Sequence, residues 1–263
     1  VRAQHLEIFY TDYGALPRYV VLDFWERPMY ISAHMMSGAW TWQALLFILA
    51  AFCSFCFMIG CRTRLMGWLS WFLLISLHIR NPLVLNGGDI VLRSVLFWCL
   101  FLPLGARYSL DAAPPRRAFG EWKRPFNSLF VSAASVGLLL QMAYIYVFGG
   151  IMKDGNTWTE DSTALYYALN IDYITWRAPS DFLLQYPLLC EWLTDASYTL
   201  EVWGSLLLLV PFLRGTFRFL ACFLFILFHI GIATTMTVGL FPFICIAAWI
   251  GLMPGAQIGR AHV

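Results

Sequence analysis

Seven long apolar runs constrain what this chain can fold into more than any other feature of its sequence. A helix needs roughly 20 apolar residues, each rising about 1.5 Å, to cross a bilayer. By that criterion the runs lie at 43–60, 66–79, 90–104, 127–152, 197–213, 217–236 and 239–254. The second and third runs are short, so we expect them to be tilted, extended by their flanks or partly re-entrant.

Composition favours a membrane protein over a soluble one. Of the 263 residues, 60% are hydrophobic and 12% are charged, which leaves too little polar surface to cover a soluble globule. The net charge of +2 excludes the basic field with which proteins attract nucleic acid. The sequence therefore predicts an all-α, polytopic membrane helix bundle of about seven spanning or partly spanning helices. Its expected surroundings are membrane lipid, without a nucleic-acid partner.

The positions of the charged residues predict how the bundle is oriented. Basic residues cluster in the loops that follow the first, third and fifth runs, which share one side if every run crosses once. The positive-inside rule makes that side cytoplasmic, and most acidic residues then lie on the opposite side. In a bacterium this describes a multi-pass protein of the cytoplasmic (inner) membrane.

The outer loop 153–196 is too long for a simple connector. Capping residues precede apolar helical patterns near Asp161 and Asp181. We expect short amphipathic helices that lie on the outer face.

The two ends of the chain carry expectations about its extent. The chain opens on Val1 on the outer side, so we expect a further helix upstream of it. The end of the chain, from Ile258, matches a translation of ATC GGA AGA GCA CAC GTC, which begins a common sequencing adapter. We interpret 257–263 as an adapter artefact and 1–256 as a single transmembrane domain.

Cys53 and Cys56 form a C-x-x-C pair within the first apolar run. No second pair or nearby histidine completes a tetrahedral metal site. A thiol inside an apolar run behaves as a small hydrophobe, so we expect core packing and no metal.

Charged residues at the start of the third run form the first candidate site. Asp89 and Arg93 are four residues apart and therefore neighbours on one helical face. One interpretation is a structural salt bridge that orients the third helix. The other is that Asn86, Asp89 and Arg93 bind a polar head group of a substrate. A lone charge at mid-membrane costs about 2.5–3.5 kcal/mol, and either arrangement relieves that cost.

Three ionisable residues interrupt or end later apolar runs. Lys153 either snorkels to the outer interface or is a buried amine that acts as a general base. Glu201 and His229 form either hydrogen-bonded contacts between helices or a proton relay and ligand contact. We take Lys153 and His229 as candidate catalytic residues and Glu201 as a candidate substrate-binding residue.

Five segments carry a resemblance to a known family. They are Phe9-Tyr-Thr-Asp-Tyr-Gly14, Arg80-Asn-Pro-Leu-Val-Leu-Asn-Gly-Gly-Asp89, Leu100-Phe-Leu-Pro-Leu-Gly-Ala-Arg-Tyr-Ser-Leu-Asp111, Phe148-Gly-Gly-Ile-Met-Lys153 with Trp158, and Phe228-His-Ile-Gly-Ile-Ala. In these segments the chain resembles the bacterial HTTM proteins, whose horizontally transferred transmembrane domain is related to vitamin K-dependent gamma-carboxylase. The resemblance covers nearly everything from Phe9 to Pro254.

The resemblance implies roles for particular residues. Lys153 matches the lysine that deprotonates the hydroquinone of vitamin K in the carboxylase, where the resulting strong base removes a proton from a substrate Glu before carbon dioxide adds. His229 matches a histidine in the same Phe-His context, and a reduced quinone is the implied cofactor. Gly88 stands where the animal enzyme has a histidine, and its large lumenal domain has no counterpart here. The resemblance therefore implies carboxylase-like lyase chemistry and not gamma-glutamyl carboxylation itself.

Three functions are open at this point. The first is an enzyme that uses Lys153 as a base on a quinol or lipid-borne substrate in an outward-facing cavity. The second is a non-catalytic maturation or accessory subunit for a secreted peptide or a larger membrane complex. A transporter ranks last, because we find no internal repeat.

Overall fold

A computed structural model describes residues 2–24, 31–106, 109–112, 132–210 and 214–254. Within these ranges the chain is all-α, as predicted: it is 75% helical, with twelve α-helices and no strands. One isolated antiparallel β-bridge joins Thr175 to Met236. The expectations for 257–263 fall outside the described residues.

The chain divides into two compact units, Val1–Ser135 and Val136–Val263. The described residues of the first contain five α-helices: α1 Leu6–Tyr10, α2 Arg18–Phe24, α3 Trp40–Met58, α4 Thr63–Arg80 and α5 Gly87–Cys99. The second contains most of α6 Ala133–Ile151 and all of α7 Asn156–Thr159, α8 Ala164–Leu169, α9 Arg177–Leu184, α10 Pro187–Trp203, α11 Arg214–Thr235 and α12 Phe241–Gly251. Short 3-10 turns lie at Arg2–His5, Ala33–Met35, Pro82–Val84, Leu104–Ala106 and Gly204–Leu208.

Among the described residues, three helices are long and apolar enough to cross a membrane, fewer than the seven spanning or partly spanning helices expected from the sequence: Trp40–Met58, Ala133–Ile151 and Gly215–Thr235. In the first of these only 17% of the residues are buried inside the protein. Leu45, Ile48 and Phe52 of that helix point outward, whereas Gln43 and Cys53 are buried. A helix with its apolar stripe outside and its polar residue inside is suited to lipid and not to water. The chain is therefore a membrane protein.

Six of the seven predicted runs overlap a helix along most of their described length, although the start of the run 127–152 lies outside the described residues. The prediction for the fifth run, 197–213, is wrong in its bounds, because α10 ends at Trp203 and a 3-10 turn follows at Gly204–Leu208. The short second run is extended by its flanks into the 18 residues of α4. The third run yields only the 13 residues of α5, and α12 has 11. Helices of that length reach roughly 20 Å or less, short of the roughly 30 Å hydrocarbon core.

In the first unit, α3 packs against α4, and Leu46, Cys53 and Leu73 form the buried centre of that contact. Cys56 of the same helix is also buried and free. The predicted core packing of the C-x-x-C pair is thus confirmed.

In the second unit, α11 packs against α12, and α10 packs against α8 and α9. The predicted short helices of the outer loop are present as α7, α8 and α9. The predicted start at Asp181 is wrong, because α9 begins at Arg177. Pro179 lies in the first turn of α9, where a missing N–H breaks no helical hydrogen bond. Just before this helix, the Trp176 amide donates to the Thr235 carbonyl at 2.9 Å.

Candidate functional site

Asn86 and Asp89 build the start of α5. The Asn86 side chain accepts hydrogen bonds from the amides of Gly88 and Asp89, at 2.9 and 3.3 Å. The Asp89 carboxylate accepts the Asn86 amide at 2.9 Å in return. This reciprocal capping box satisfies backbone donors that a helix start otherwise leaves free. Both side chains thus have a structural role at the position where the sequence suggested head-group binding.

The cationic partner of Asp89 is Arg2, not Arg93. The two terminal nitrogens of Arg2 donate to the two carboxylate oxygens of Asp89 at 2.9 and 2.6 Å, and one also donates to the Val84 carbonyl at 2.8 Å. His78 Nε2 lies 3.6 Å from the same carboxylate. The salt bridge expected from the four-residue spacing is therefore replaced by a pairing across 87 positions of sequence. A forked contact of this kind satisfies both oxygens at once, which a neighbour on the same helix does not offer.

The segment Phe9–Gly14 is fixed by two arginines. Arg80 is fully buried and donates to the carbonyls of Leu16 and Thr11, at 2.7 and 2.8 Å. Its guanidinium also lies 3.7 Å from the Asp12 carboxylate. The Arg18 guanidinium donates hydrogen bonds to both oxygens of that carboxylate, at 2.7–3.0 Å. These hydrogen bonds lower the pKa of Asp12. The segment Phe9–Gly14, which contributes to the family resemblance, thus has a structural role in this chain as the acceptor of two arginines.

In the second unit the structure brings Lys153 and Glu201 together. The Lys153 amine, two residues beyond α6, donates to the Glu201 carboxylate of α10. The amine also lies 4.3 Å from the ring centre of Trp158, within reach of a cation–π contact. Only 10% of the Glu201 side chain and 24% of the Lys153 side chain are exposed. Lys153 therefore turns inward to a carboxylate, so it does not extend freely towards the outer interface.

Gly150 permits this pairing. A Cβ at Gly150 would lie 2.5 Å from Val202 Cγ2, 3.2 Å from the Val202 amide nitrogen and 3.4 Å from Glu201 Cβ. A side chain of any size at this position would hold α6 away from α10. The close approach of the two backbones is what allows a residue just beyond α6 to meet the carboxylate of Glu201.

We expect Gly150→Ala to destabilise the protein by about 1–3 kcal/mol, because Val202 is β-branched and cannot swing aside easily. Gly149→Ala is the matched control, since a Cβ there meets nothing within 4 Å. Alanine is the better helix former by about 1 kcal/mol, so the control should be neutral or stabilising. Thermal unfolding of the two variants in detergent checks both signs. Equal melting temperatures would contradict the proposed close contact.

His229 is held by a buried aromatic cluster. Trp249 Nε1, which can only donate, lies 3.0 Å from the Tyr146 hydroxyl oxygen. That hydroxyl lies 2.6 Å from His229 Nε2, and we assign its proton to this contact. The imidazole then carries its own proton on Nδ1, which is buried and has no hydrogen-bond partner. All three side chains are 5% exposed or less.

The rings around this network are closely packed. Phe225 stacks on Trp249 with centroids 4.3 Å apart, and Phe241 meets the His229 ring edge-on at 5.4 Å. Such packing fixes the imidazole in one orientation. Tyr146 belongs to α6, the helix that also leads to Lys153, so both contacts in this unit depend on α6.

Several predicted residues therefore have defined partners in the structure. Lys153 pairs with Glu201, and Asn86 caps α5 together with Asp89. His229 and Glu201 share no hydrogen bond with each other; each has a separate partner. Sequence reasoning missed Arg2, Tyr146 and Trp249, because nothing in their local spacing marks them as partners of residues 83 to 103 positions away. Arg93 is half-buried, and its carbonyl accepts from Trp71 Nε1 at 3.2 Å.

No family model, curated protein or solved structure matches this chain. The contacts themselves and the sequence resemblance are therefore what bear on function.

Proposed function

We propose that this chain is a multi-pass protein of the bacterial inner membrane and a member of the HTTM family. In this proposal Lys153 acts as a general base toward a quinol or lipid-borne substrate at the outer side. One observation carries the proposal: the amine of Lys153 lies directly against a buried carboxylate. A pair of that kind can hold its proton on either partner.

The proton positions can be followed explicitly. In the resting pair the proton is on Lys153 and Glu201 is a carboxylate. Transfer of that proton to Glu201 leaves a neutral amine and a neutral acid, and burial favours neutral forms. The neutral amine of Lys153 then removes a proton from the substrate and becomes an ammonium again. Glu201, whose side chain is 10% exposed, finally releases its extra proton to solvent.

A reduced quinone is the cofactor implied by the resemblance, and the residues around His229 do not fit one. His229, Tyr146 and Trp249 are 5% exposed or less, and Phe241 packs edge-on against the imidazole at 5.4 Å. The proposal therefore rests on Lys153 and Glu201, and a quinol would meet Lys153, whose side chain is 24% exposed.

Lys153→Arg tests base catalysis. An arginine keeps the ion pair with Glu201 but does not give up its proton, so the variant retains the contact and loses the base. We expect a loss of about 10²-fold or more in the rate at which the full chain accelerates oxygen uptake by reduced menadione, since that oxidation proceeds through the hydroquinone anion. The membrane level and melting temperature should stay at wild-type values. An unchanged rate would rule out Lys153 as the base.

A second function rests on the outer loop. Tyr173, Trp176 and Trp192 are 83%, 53% and 65% exposed on or beside its short helices. Exposed aromatic side chains of this kind suit the docking of a secreted peptide or a membrane-complex partner. An accessory role of that kind would leave Lys153→Arg without a phenotype, so the same variant separates the two functions.

A further inference from the structure

A cleft of about 480 Å³ lies in the first unit, beside the turn from α3 to α4. One part of its lining is apolar and includes Leu65, Leu100 and Leu104. Two arginines, Arg62 and Arg64, line it as well. None of the candidate residues of the sequence analysis lines this cleft, so it is separate from the proposed catalytic contacts.

Both arginines are available to a ligand. Their side chains are exposed, and neither guanidinium has a hydrogen bond or a salt bridge to any described residue. Arg62 takes a left-handed backbone conformation, with φ of 47°, immediately before α4. Arginine has no local hydrogen bond with which to compensate that conformation, and asparagine or glycine adopts it more readily.

Among the described residues of the lining, Asp111 is the one acid, and it is already engaged. Asp111 accepts the amides of Arg62 and Thr63, at 3.0 and 2.6 Å, and the Thr63 hydroxyl at 2.8 Å. These hydrogen bonds, above all those from Thr63, lower the pKa of Asp111 and make it the cap of α4. Its charge is therefore directed at the helix start, and two guanidinium groups against one carboxylate leave the lining with a net charge of +1.

The cleft lies beside the end of a candidate membrane-spanning helix. It adjoins the end of α3, whose apolar span finishes at Met58. One turn into α4, Trp68 is 43% exposed and packs edge-on against Phe101 at 5.8 Å. Partly exposed tryptophan beside the end of a span is typical of the membrane–water interface.

We propose that this cleft binds an anionic phospholipid. The phosphate group pairs with the guanidinium groups of Arg62 and Arg64, which suit its oxygens geometrically. An acyl chain continues along the leucines of the lining. Basic clefts at the ends of membrane helices bind acidic head groups on the same physical grounds. This inference does not depend on the proposed function, because no residue of the second unit takes part.

Native mass spectrometry of the full chain tests the proposal. The protein is released from detergent micelles that contain either phosphatidylglycerol or phosphatidylcholine of the same chain length. We expect phosphatidylglycerol to be retained preferentially. Arg62→Asn combined with Arg64→Gln should weaken its retention by about tenfold or more, the loss expected for removing charged phosphate contacts. Asparagine preserves the left-handed backbone, so this variant should fold.

Two further variants separate the geometry of the site from charge alone. Arg62→Lys with Arg64→Lys keeps both charges and loses the forked geometry, so it should retain less lipid than the wild type and more than the Asn and Gln variant. Arg177→Gln removes one exposed charge elsewhere, at a residue that pairs with Asp172, and should change nothing. Equal retention of the two lipids, or wild-type retention by the Asn and Gln variant, would overturn the proposal. Full displacement by inorganic phosphate would also overturn it and show a free-anion site. Should the double variant melt early, Arg64→Gln alone decides, because that side chain makes no hydrogen bond or salt bridge to a described residue.

Discussion

Glu201→Ala should lower the free energy of unfolding by about 2–4 kcal/mol. Removing one member of a buried ion pair strands the other charge, which costs about 3–5 kcal/mol when both are fully enclosed. Lys153 is 24% exposed and can recover part of that cost by contact with water, so the expected loss is somewhat smaller. In a chain of this size the change corresponds to a melting temperature lower by several degrees, measured in detergent.

The double variant Lys153→Met, Glu201→Leu separates a stranded charge from lost packing. It removes both charges and keeps the side-chain volumes similar, so it should melt close to the wild type or above it. The same double variant should lack any base activity. Equal destabilisation of the single and double variants would show that volume, and not charge, holds α6 and α10 together at this point.

Arg80→Met should cost about 3–5 kcal/mol, the largest effect we expect in the first unit. The substitution keeps much of the side-chain volume but leaves the carbonyls of Leu16 and Thr11 without their donors. Each lost hydrogen bond to a charged group costs about 1.5–3 kcal/mol when no water can replace it. Arg80 is fully buried, so water cannot reach these carbonyls from the arginine side. Thermal unfolding and protease sensitivity near residues 9–16 measure the effect.

Arg18→Met is the control for that experiment. Arg18 makes more contacts to Asp12 than Arg80 does, but its side chain is 30% exposed and that of Asp12 is 34% exposed. Pairs in water contribute about 0–1 kcal/mol, because solvent screens them and ordering two long side chains is unfavourable. The expected order, with Arg80 far above Arg18, follows from burial and not from the number of contacts. A reversed order would contradict it.

Much of the fold could be predicted from sequence. Helices depend on local periodicity and on apolar content, and these signals located the longer helices in six of the seven runs. The run 197–213 was misplaced, because α10 lies at Pro187–Trp203. The lengths of the helices were harder to predict. The predicted third run continued to Leu104, whereas α5 ends at Cys99. The residues after Cys99 are still apolar, so composition alone does not mark the end of the helix. The division into two units has no local signal either, since it depends on which helices contact one another.

The sequence indicated which ionisable residues belong to the candidate site, but seldom which residues they contact. An ionisable residue within an apolar run is visible in sequence, so Lys153, Glu201 and His229 could be singled out. The partner of Asp89 could not, because the four-residue rule offers Arg93 while Arg2 comes from the far end of the unit. Tyr146 looks like any aromatic residue of a membrane helix until Trp249 and His229 are seen beside its hydroxyl.

The backbone contacts between the outer loop and α11 have a mechanical consequence. The Trp176 amide is bound to the Thr235 carbonyl, and the Thr237 amide to the Ile174 carbonyl, at 2.9 and 2.7 Å. His229 lies six residues before Thr235 on the same continuous helix, roughly 9 Å along its axis. A force applied to residues 174–176 from outside must therefore break these two hydrogen bonds or displace α11, the helix that carries the imidazole. A force on the outer loop is in this way transmitted toward His229, which is fully buried.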